Sequence, residues 1–232
     1  FFQILEASIK ENPHTYTIKK KIQATNVVGY IDNNQEETII IGAHYDHIGY
    51  GDFSSLYDGD REIHNGADDN ASGVSIMLNL AQSLKEVNNY NYLFIAFSGE
   101  EHGLFGSSHY AKNPTINLDK VRFMINFDMV GRLNKEKTLA INGIGTSNYW
   151  DQLINNSNTF EFKLKTTESG IGPSDHTSFY LQDIPSIHFF TGQHEDYHKP
   201  SDDVEKINFE GMYEVYRYCL LYTSDAADDW SG

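Results

Sequence analysis

Four short apolar runs alternate with segments of helical periodicity, and this alternation restricts the fold of the chain more than any other feature. A continuous apolar run of four to seven residues is typical of a strand that is buried on both faces of a sheet. After the first run, apolar residues recur at three- and four-residue spacing from Val74 to Val87, which predicts a helix that starts at Ser72. Strands that alternate with helices indicate an α/β layer sandwich. The four runs are Thr38 to Ile41, Tyr92 to Phe97, Val121 to Phe127 and Ile184 to Phe190.

Weaker patterns predict the remaining elements of a single domain over residues 1–218. Residues 1–20 are expected to be the end of a helix followed by a strand. The segments 26–31 and 38–41 flank a turn-like Asp-Asn-Asn, which predicts a β-hairpin. Residues 49–66 are rich in Gly, Asp and Ser without periodicity, and we expect a loop there. Further expected elements are a weak strand at 139–141 and helices at 103–111, 148–156, 175–181 and 209–221.

Both ends of the chain differ from those of an ordinary gene product. The chain starts at Phe1 without a methionine, so we expect the natural N-terminus and any export signal to be missing. From Cys219 a helical pattern changes to a small, acidic one, and CLLYTSDAADD resembles the translation of a sequencing adapter. We therefore predict a non-native tail at residues 219–232. Cys219 is the only cysteine, which excludes an intrachain disulfide and a cysteine zinc cluster.

The charge of the chain restricts its partners. The 232 residues include 17 basic and 33 acidic ones, which gives a formal net charge of −16. So large a negative charge argues against nucleic acid and anionic membranes as partners. No apolar run approaches the roughly 20 residues of a helical membrane span. The acidity is compatible with bound cations, because a site built from carboxylates is negative until its metal is included.

The first candidate site motif is IGAHYDHIG at residues 41–49. His44 and Asp46 lie two residues apart at the end of a predicted strand, where alternate side chains point the same way. A carboxylate beside an imidazole is the usual arrangement for orienting a metal-binding histidine. The motif alone is equally compatible with a His and an Asp on the protein surface.

Two acidic pairs follow. Asp68 and Asp69 lie in HNGADDNASGV, a turn that leads into a helix, and a carboxylate there can present both oxygens to bridge two cations. Helix capping is the alternative role for such residues. Glu100 and Glu101 follow the apolar run at 92–97, and adjacent side chains point in different directions. One can therefore bind a metal while the other handles a proton, although paired glutamates are more often a solvated surface.

Two further motifs complete the set. Asp128, in INFDMVG, terminates an apolar strand, and burying a charge without a partner is costly. His198, in EDYHKPSDD, has Tyr197 before it and Asp202 four residues after it as a candidate acceptor for the ring. Two histidines, two aspartates and one glutamate are donors of the kind that Zn²⁺ accepts. Five ligands including a bridge suit two ions about 3.5–4 Å apart, as in hydrolases that activate a water molecule between two metals.

In this order the motifs resemble the two-zinc aminopeptidase family of metallo-exopeptidases. Relatives in that family include glutamate carboxypeptidase, glutaminyl cyclase and the transferrin receptor ectodomain. The resemblance runs from about Asn26 to Tyr218 and implies a three-layer sandwich with a central mixed, mostly parallel sheet. It also implies that one zinc is held by His44 and Asp128 and the other by Glu101 and His198. Asp69, four residues before a glycine, would bridge the two ions.

The resemblance implies roles for the neighbouring residues as well. Glu100 would be the general base that takes a proton from the attacking water and passes it to the leaving amine. Tyr197 would donate a hydrogen bond to the developing oxyanion. Asp46 would orient one metal-binding imidazole and Asp202 the other.

The segment PSDHTSF also resembles a part of the family that lines the substrate pocket. Asp175 and His176 are therefore expected in the pocket wall or just behind the metal ligands. His188 lies inside a predicted strand and is expected in the core. His47 and His64 are candidate substrate contacts, whereas loop or surface positions are expected for His14, His102, His109 and His194.

The function implied by the resemblance is a secreted or periplasmic exopeptidase that removes N-terminal residues from peptides with the help of two zinc ions. Within the same fold, the alternatives are a carboxypeptidase or amidohydrolase and a glutaminyl cyclase. A metal-free, receptor-like binding ectodomain is the alternative from another class of protein. The five candidate ligands favour a two-metal enzyme over the cyclase and over the ectodomain. The sequence specifies neither the side-chain preference nor the oligomeric state.

Overall fold

The computed structural model describes residues 2–9 and 20–225, and eight strands form one sheet there. In chain order the strands are β1 (Phe2–Ile9), β2 (Lys20–Ile31), β3 (Thr38–His44), β4 (Asn91–Phe97), β5 (Val121–Phe127), β6 (Thr138–Asn142), β7 (Lys163–Thr167) and β8 (Ser186–Phe190). Their order across the sheet is β1-β2-β4-β3-β5-β8-β6-β7.

Helices cover both faces of this sheet. They are α1 (Gly73–Ser83), α2 (Phe105–Lys112), α3 (Trp150–Ser157), α4 (His176–Tyr180) and α5 (Phe209–Asp225). Met77 of α1, Trp150 of α3 and Val215 of α5 belong to one apolar cluster. Tyr110 of α2 and Phe179 of α4 belong to a second cluster. The sheet is therefore the middle of three layers, which confirms the predicted α/β sandwich.

The centre of the sheet explains why its strands are continuously apolar. All seven residues of β3 are buried. Ile39 and Ile41 point into one cluster and Ile40 into the other, because successive strand residues face opposite sides. β3 runs parallel to both β4 and β5, and β5 runs parallel to β8. The carboxyl ends of these four strands therefore lie at one edge of the sheet.

Two predictions for the first 41 residues are wrong. Residues 2–9 form the strand β1, antiparallel to β2, where the end of a helix was expected. β2 and β3 do not form a hairpin, because β4 lies between them. The Asn33 side chain donates hydrogen bonds to the carbonyls of Val87 (2.9 Å) and Tyr90 (2.6 Å), which attaches the turn after β2 to the segment leading into β4. Residues 10–19 of the expected strand lie outside the described residues.

Later elements agree with the predictions apart from their ends. Residues 49–66 contain neither helix nor strand, as expected, and β5 has the predicted bounds. β7 was not predicted, because its sequence KLKTT is mostly exposed and carries one apolar residue. No helix within residues 2–9 and 20–225 combines the length and the apolar character that crossing a membrane requires.

The last helix continues past the point where the sequence pattern changes. α5 extends to Asp225, and the side chains of Cys219 and Thr223 are buried against the rest of the domain. Residues 226–232 of the expected tail lie outside the described residues. That residues 219–232 are non-native therefore stays a prediction.

Candidate metal centre

Imidazole and carboxylate side chains from five segments meet at the carboxyl edge of the four central strands. Each segment ends a strand, follows a strand or leads into a helix. The side chains are His44 at the end of β3, Asp69 before α1, Glu100 and Glu101 after β4, Asp128 after β5 and His198 after β8.

One half of the cluster consists of His44, Glu100 and Asp128. Each offers one ligand atom, and the three atoms lie within 4.8 Å of one another. His44 Nε2 lies 3.4 Å from Asp128 Oδ1 and 4.0 Å from Glu100 Oε2. The imidazole is 1% exposed, so its surroundings are set by the protein rather than by solvent.

Asp69 joins this half to the other. Its Oδ1 lies 3.4 Å from His44 Nε2, and its Oδ2 lies 3.2 Å from His198 Nε2. His198 Nε2 in turn lies 3.1 Å from Glu101 Oε2. Each oxygen of the Asp69 carboxylate thus faces a different imidazole, which is the geometry that a ligand shared by two cations requires.

The turn that carries Asp69 is held against the end of β5. Asn70 donates to the carbonyl of Phe127 (2.9 Å) and accepts from the N–H of Met129 (3.2 Å). Asp68 points away from the cluster, because its carboxylate accepts from the N–H of Gly131 (2.6 Å). The structure therefore brings Asp69, and not Asp68, to the centre.

Asp46 supports the centre by contacts other than the expected one. The Asp46 carbonyl, rather than its carboxylate, lies within hydrogen-bonding distance of His44 Nδ1, at 3.1 Å. The carboxylate is 3.8 Å from Nδ1 and accepts the backbone N–H groups of Glu100 (3.1 Å) and Glu101 (3.4 Å). Asp46 therefore fixes the turn that carries both glutamates as well as the imidazole.

Asp202 does not orient His198 as expected. Nδ1 of His198 lies 2.8 Å from the carbonyl of Ser54, which takes that role. Oδ2 of Asp202 instead accepts the backbone N–H groups of Asp68 (2.9 Å) and Asp69 (3.1 Å). Asp202 thus supports the backbone of the turn that carries Asp69.

Three histidines make contacts that no sequence pattern predicted. His47 is at the centre, with Nδ1 2.8 Å from Glu101 Oε1. His188 is buried as predicted but also lines the pocket. His194 lies in a loop, as expected, with its Nε2 3.1 Å from Asp68 Oδ2. Their residue type is the only sequence signal for these contacts, because their partners are distant in the chain.

The pKa values of the imidazoles show that the cluster attracts positive charge. Burial opposes a proton on His44, yet the carboxylates, led by that of Asp128, raise its pKa well above the ordinary value. Burial also opposes a proton on His198, but its hydrogen bonds to Asp69 and Glu101 raise its pKa to about 10. The pKa values of both imidazoles are therefore raised by the excess of carboxylates around them.

The two adjacent glutamates have opposite shifts. Burial raises the pKa of Glu100 to about 10, with His44 opposing the rise and Asp175 adding to it. Burial also acts to raise the pKa of Glu101, but hydrogen bonds from His198 and His47 lower it to about 2. Glu101 is therefore an ionised acceptor, whereas burial favours the protonated form of Glu100.

Two expected pocket residues lie behind the ligands. Asp175 is fully buried, and burial raises its pKa to about 7. Burial lowers the pKa of His176 to about 3, so that ring is neutral, and it stacks on His188 with 4.8 Å between ring centroids. Both residues are therefore part of the buried wall.

The centre opens into a cavity of about 350 Å³. Met129, Pro173 and Phe190 give it apolar walls, and Asn142 and Gln193 add polar groups. Tyr197 also lines the cavity, and burial together with the nearby carboxylates raises its pKa, so its hydroxyl keeps the proton. The cavity therefore places apolar walls and polar groups directly beside the cluster.

Fold and site together define an α/β protein with a candidate metal centre at the carboxyl edge of its sheet. A profile of Peptidase family M28 matches residues 26–223. The chain belongs to this family, which confirms the resemblance seen in its motifs.

Individual relatives support the same placement. Aminopeptidase YwaD from Bacillus subtilis is 33% identical over 190 residues, which cover 77% of this chain and 39% of that protein. The structure of BSAP, a zinc aminopeptidase from Bacillus subtilis, is similar with a TM-score of 0.72 at 28% identity, over 89% of this chain and 52% of that one. The chain thus spans less than two thirds of the length of these two aminopeptidases.

Glutaminyl cyclase from Porphyromonas gingivalis has a TM-score of 0.76 at 19% identity, over 97% of this chain and 84% of that one. At this identity the similarity shows the fold alone. Activity must therefore be argued from the residues of the centre.

Proposed function

We propose that this chain is the catalytic domain of a zinc aminopeptidase, which binds two zinc ions and removes N-terminal residues from peptides. One observation carries the proposal: the two oxygens of Asp69 face His44 at 3.4 Å and His198 at 3.2 Å. A single carboxylate placed in this way serves two cations at once. The aminopeptidases among the relatives support the choice of reaction.

The residues present fit zinc. Imidazole nitrogens and carboxylate oxygens are donors that Zn²⁺ accepts. The raised pKa values of His44 and His198 show that the cluster attracts positive charge, and a metal displaces the proton from an imidazole that it binds. In the proposal, His44 and Asp128 would hold one ion, Glu101 and His198 would hold the other, and Asp69 would contribute one oxygen to each.

Bound zinc would supply Lewis-acid polarisation of the scissile carbonyl and activation of a water molecule. Glu100 accepts the proton of that water and passes it to the leaving amine. For this role it must start ionised, and neighbouring divalent cations act against the burial that raises its pKa. The hydroxyl of Tyr197 donates a hydrogen bond to the oxygen on which negative charge develops. The acidic cavity suits a substrate with a free amino group.

Two variants test the assignment. Glu100→Ala should retain both zinc ions and lose about 10²–10⁴-fold in turnover of an aminoacyl-nitroanilide, the usual contribution of acid–base catalysis. Asp69→Ala should lose zinc. Zinc content by elemental analysis and turnover are measured together, with His109→Ala on helix α2 as the control. Normal turnover by the Glu100 variant would remove it from the role of base.

Substrate choice separates the proposal from its alternatives. An aminopeptidase needs a free amino terminus, so N-acetylated peptides should not be cleaved. Cleavage of the blocked peptides would indicate a carboxypeptidase or amidohydrolase. Release of pyroglutamyl product from N-terminal glutamine would indicate a cyclase. A protein without zinc and without any turnover would indicate a binding ectodomain.

We also propose that the protein acts in the periplasm or outside the cell. The resemblance to secreted members of the family is the support for this location. Fractionation of cells that express the natural gene tests it, and a purely cytoplasmic distribution would contradict it.

A further inference from the structure

His47 is a residue of the centre that the proposed zinc ligands leave out. Its Nδ1 lies 2.8 Å from Glu101 Oε1. The other oxygen of Glu101, Oε2, lies 3.1 Å from His198 Nε2. The two oxygens of one carboxylate therefore have separate partners, one on each side.

The surroundings fix the His47 ring in this position. Its side chain is 11% exposed, and its ring stands edge-on to that of His198, with 5.8 Å between centroids. Gly66 has a φ of +63°, and a Cβ at that position would lie 2.8 Å from Cγ of His47. The backbone thus passes so close to the imidazole that only glycine leaves it room.

His47, Asp69 and Glu101 offer ligand atoms within 4.8 Å of one another, and the individual distances favour a supporting role for His47 over a ligand role. His198 Nε2 lies within 3.2 Å of both Asp69 and Glu101. His47 Nδ1 is at hydrogen-bonding distance from Glu101 but 4.0 Å from Asp69. His198 is therefore the imidazole in close contact with both carboxylates of this half, whereas His47 is in close contact with Oε1 of Glu101 alone.

We propose that His47 is a positioning residue for Glu101. Its Nδ1–H donates to Oε1 and leaves Oε2 for the zinc ion that Glu101 and His198 would hold. The inference depends on the proposed zinc centre. Without this hydrogen bond, the carboxylate is free to rotate or to present both oxygens, and its zinc site is less well ordered. Loss of such a supporting partner typically costs about 10–100-fold in metal affinity.

His47→Ala and His47→Asn distinguish this role from others, because the asparagine Nδ2–H can replace the donor whereas an amide nitrogen does not bind zinc. The zinc affinity of each site is measured by competition with a chromophoric chelator. The visible absorption of the cobalt-substituted protein reports the geometry of each site. We expect a loss of about 10–100-fold at one site in the alanine variant, with a changed cobalt band. The asparagine variant should recover most of the zinc affinity and most of the wild-type cobalt band. His109→Ala should match the wild type in both measurements.

Several outcomes would overturn the inference. Wild-type zinc affinity and cobalt spectrum in His47→Ala would show that the hydrogen bond positions nothing. Complete loss of one zinc in both variants would make His47 a ligand. Equal destabilisation of both metal-free variants in thermal unfolding, without rescue of zinc affinity by asparagine, would make its role one of packing. A wild-type protein that binds no zinc would instead refute the proposed function itself.

Discussion

Replacement of Asp202 tests whether one buried carboxylate holds two loops of the centre together. Its side chain is fully buried, and Oδ2 accepts the N–H groups of Asp68 (2.9 Å) and Asp69 (3.1 Å). Its backbone carbonyl accepts from the N–H of Ala67 (3.1 Å). Because Asp202 follows His198 by four residues, these bonds attach the His198 segment to the turn that carries Asp69.

The magnitude follows from the two donors that would lose their acceptor. A buried N–H without a partner costs about 1–3 kcal/mol, so Asp202→Ala should lose about 4 kcal/mol of unfolding free energy. At about 2–4 °C per kcal/mol for a domain of this size, the melting temperature falls by about 8–16 °C. Asp202→Asn keeps an acceptor oxygen but not its charge, and about 1 kcal/mol for each bond gives a loss of about 2 kcal/mol.

Denaturant unfolding of the metal-free proteins, followed by circular dichroism, measures these differences. Asp203→Ala is the matched control, because the half-buried side chain of Asp203 accepts one solvent-exposed hydrogen bond, from the Asn65 amide (2.7 Å). We expect that control within about 1 kcal/mol of the wild type. An Asp202→Ala variant that is equally stable would refute the reasoning. Zinc affinity should also fall, since the turn that presents Asp69 loses its support.

Three further predictions concern pH, packing and metal removal. Although burial acts to raise it, hydrogen bonds led by that from Lys206 hold the pKa of Asp196 below its usual range. Its stabilisation is therefore present above about pH 4 and lost below, so Asp196→Asn should be less stable than the wild type at pH 6, with the gap in unfolding free energy closing in acid. A Cβ at Gly73 would lie 2.5 Å from the carbonyl oxygen of Phe127, so Gly73→Ala should lose about 1–3 kcal/mol in denaturant unfolding and also bind zinc more weakly. Chelation should lower the melting temperature, and zinc should restore it, because a ligand at 100 times its Kd contributes about 2.7 kcal/mol; a melting temperature unchanged by chelation would contradict a structural zinc contribution.

The central strands could be predicted because both of their faces are buried. β5 has the predicted bounds, since its sequence is apolar throughout and ends abruptly at Asp128. The same abrupt change marks His44 and the glutamates after β4. The order of strands could not be predicted in this way, because a buried strand carries no sign of which neighbour it pairs with. The false hairpin of β2 and β3 has a related cause, because the turn-like Asp-Asn-Asn between them does not show that β4 pairs with both strands.

The supporting contacts were harder to predict than the candidate ligands. Asp202 lies four residues from His198, and that proximity favoured a local partner. Its actual partner Asp68 is 134 positions away, and the hydrogen bond is made to a backbone N–H, which has no residue type. His47 presents the same difficulty, since Glu101 is 54 positions away. The residue type indicates which groups a side chain can bind, but the packing of the loops determines which of those groups lies near it.

The position of His198 after the last strand of the sheet has a consequence for biosynthesis. A nascent chain acquires the first imidazole early, together with β3, and the second only after β8 has left the ribosome. Until then the carboxylates of Glu101 and Asp69 have no nitrogen donor from that segment. Binding of both proposed metal ions would therefore occur late. Its completion would indicate that β8 has already been added to the sheet.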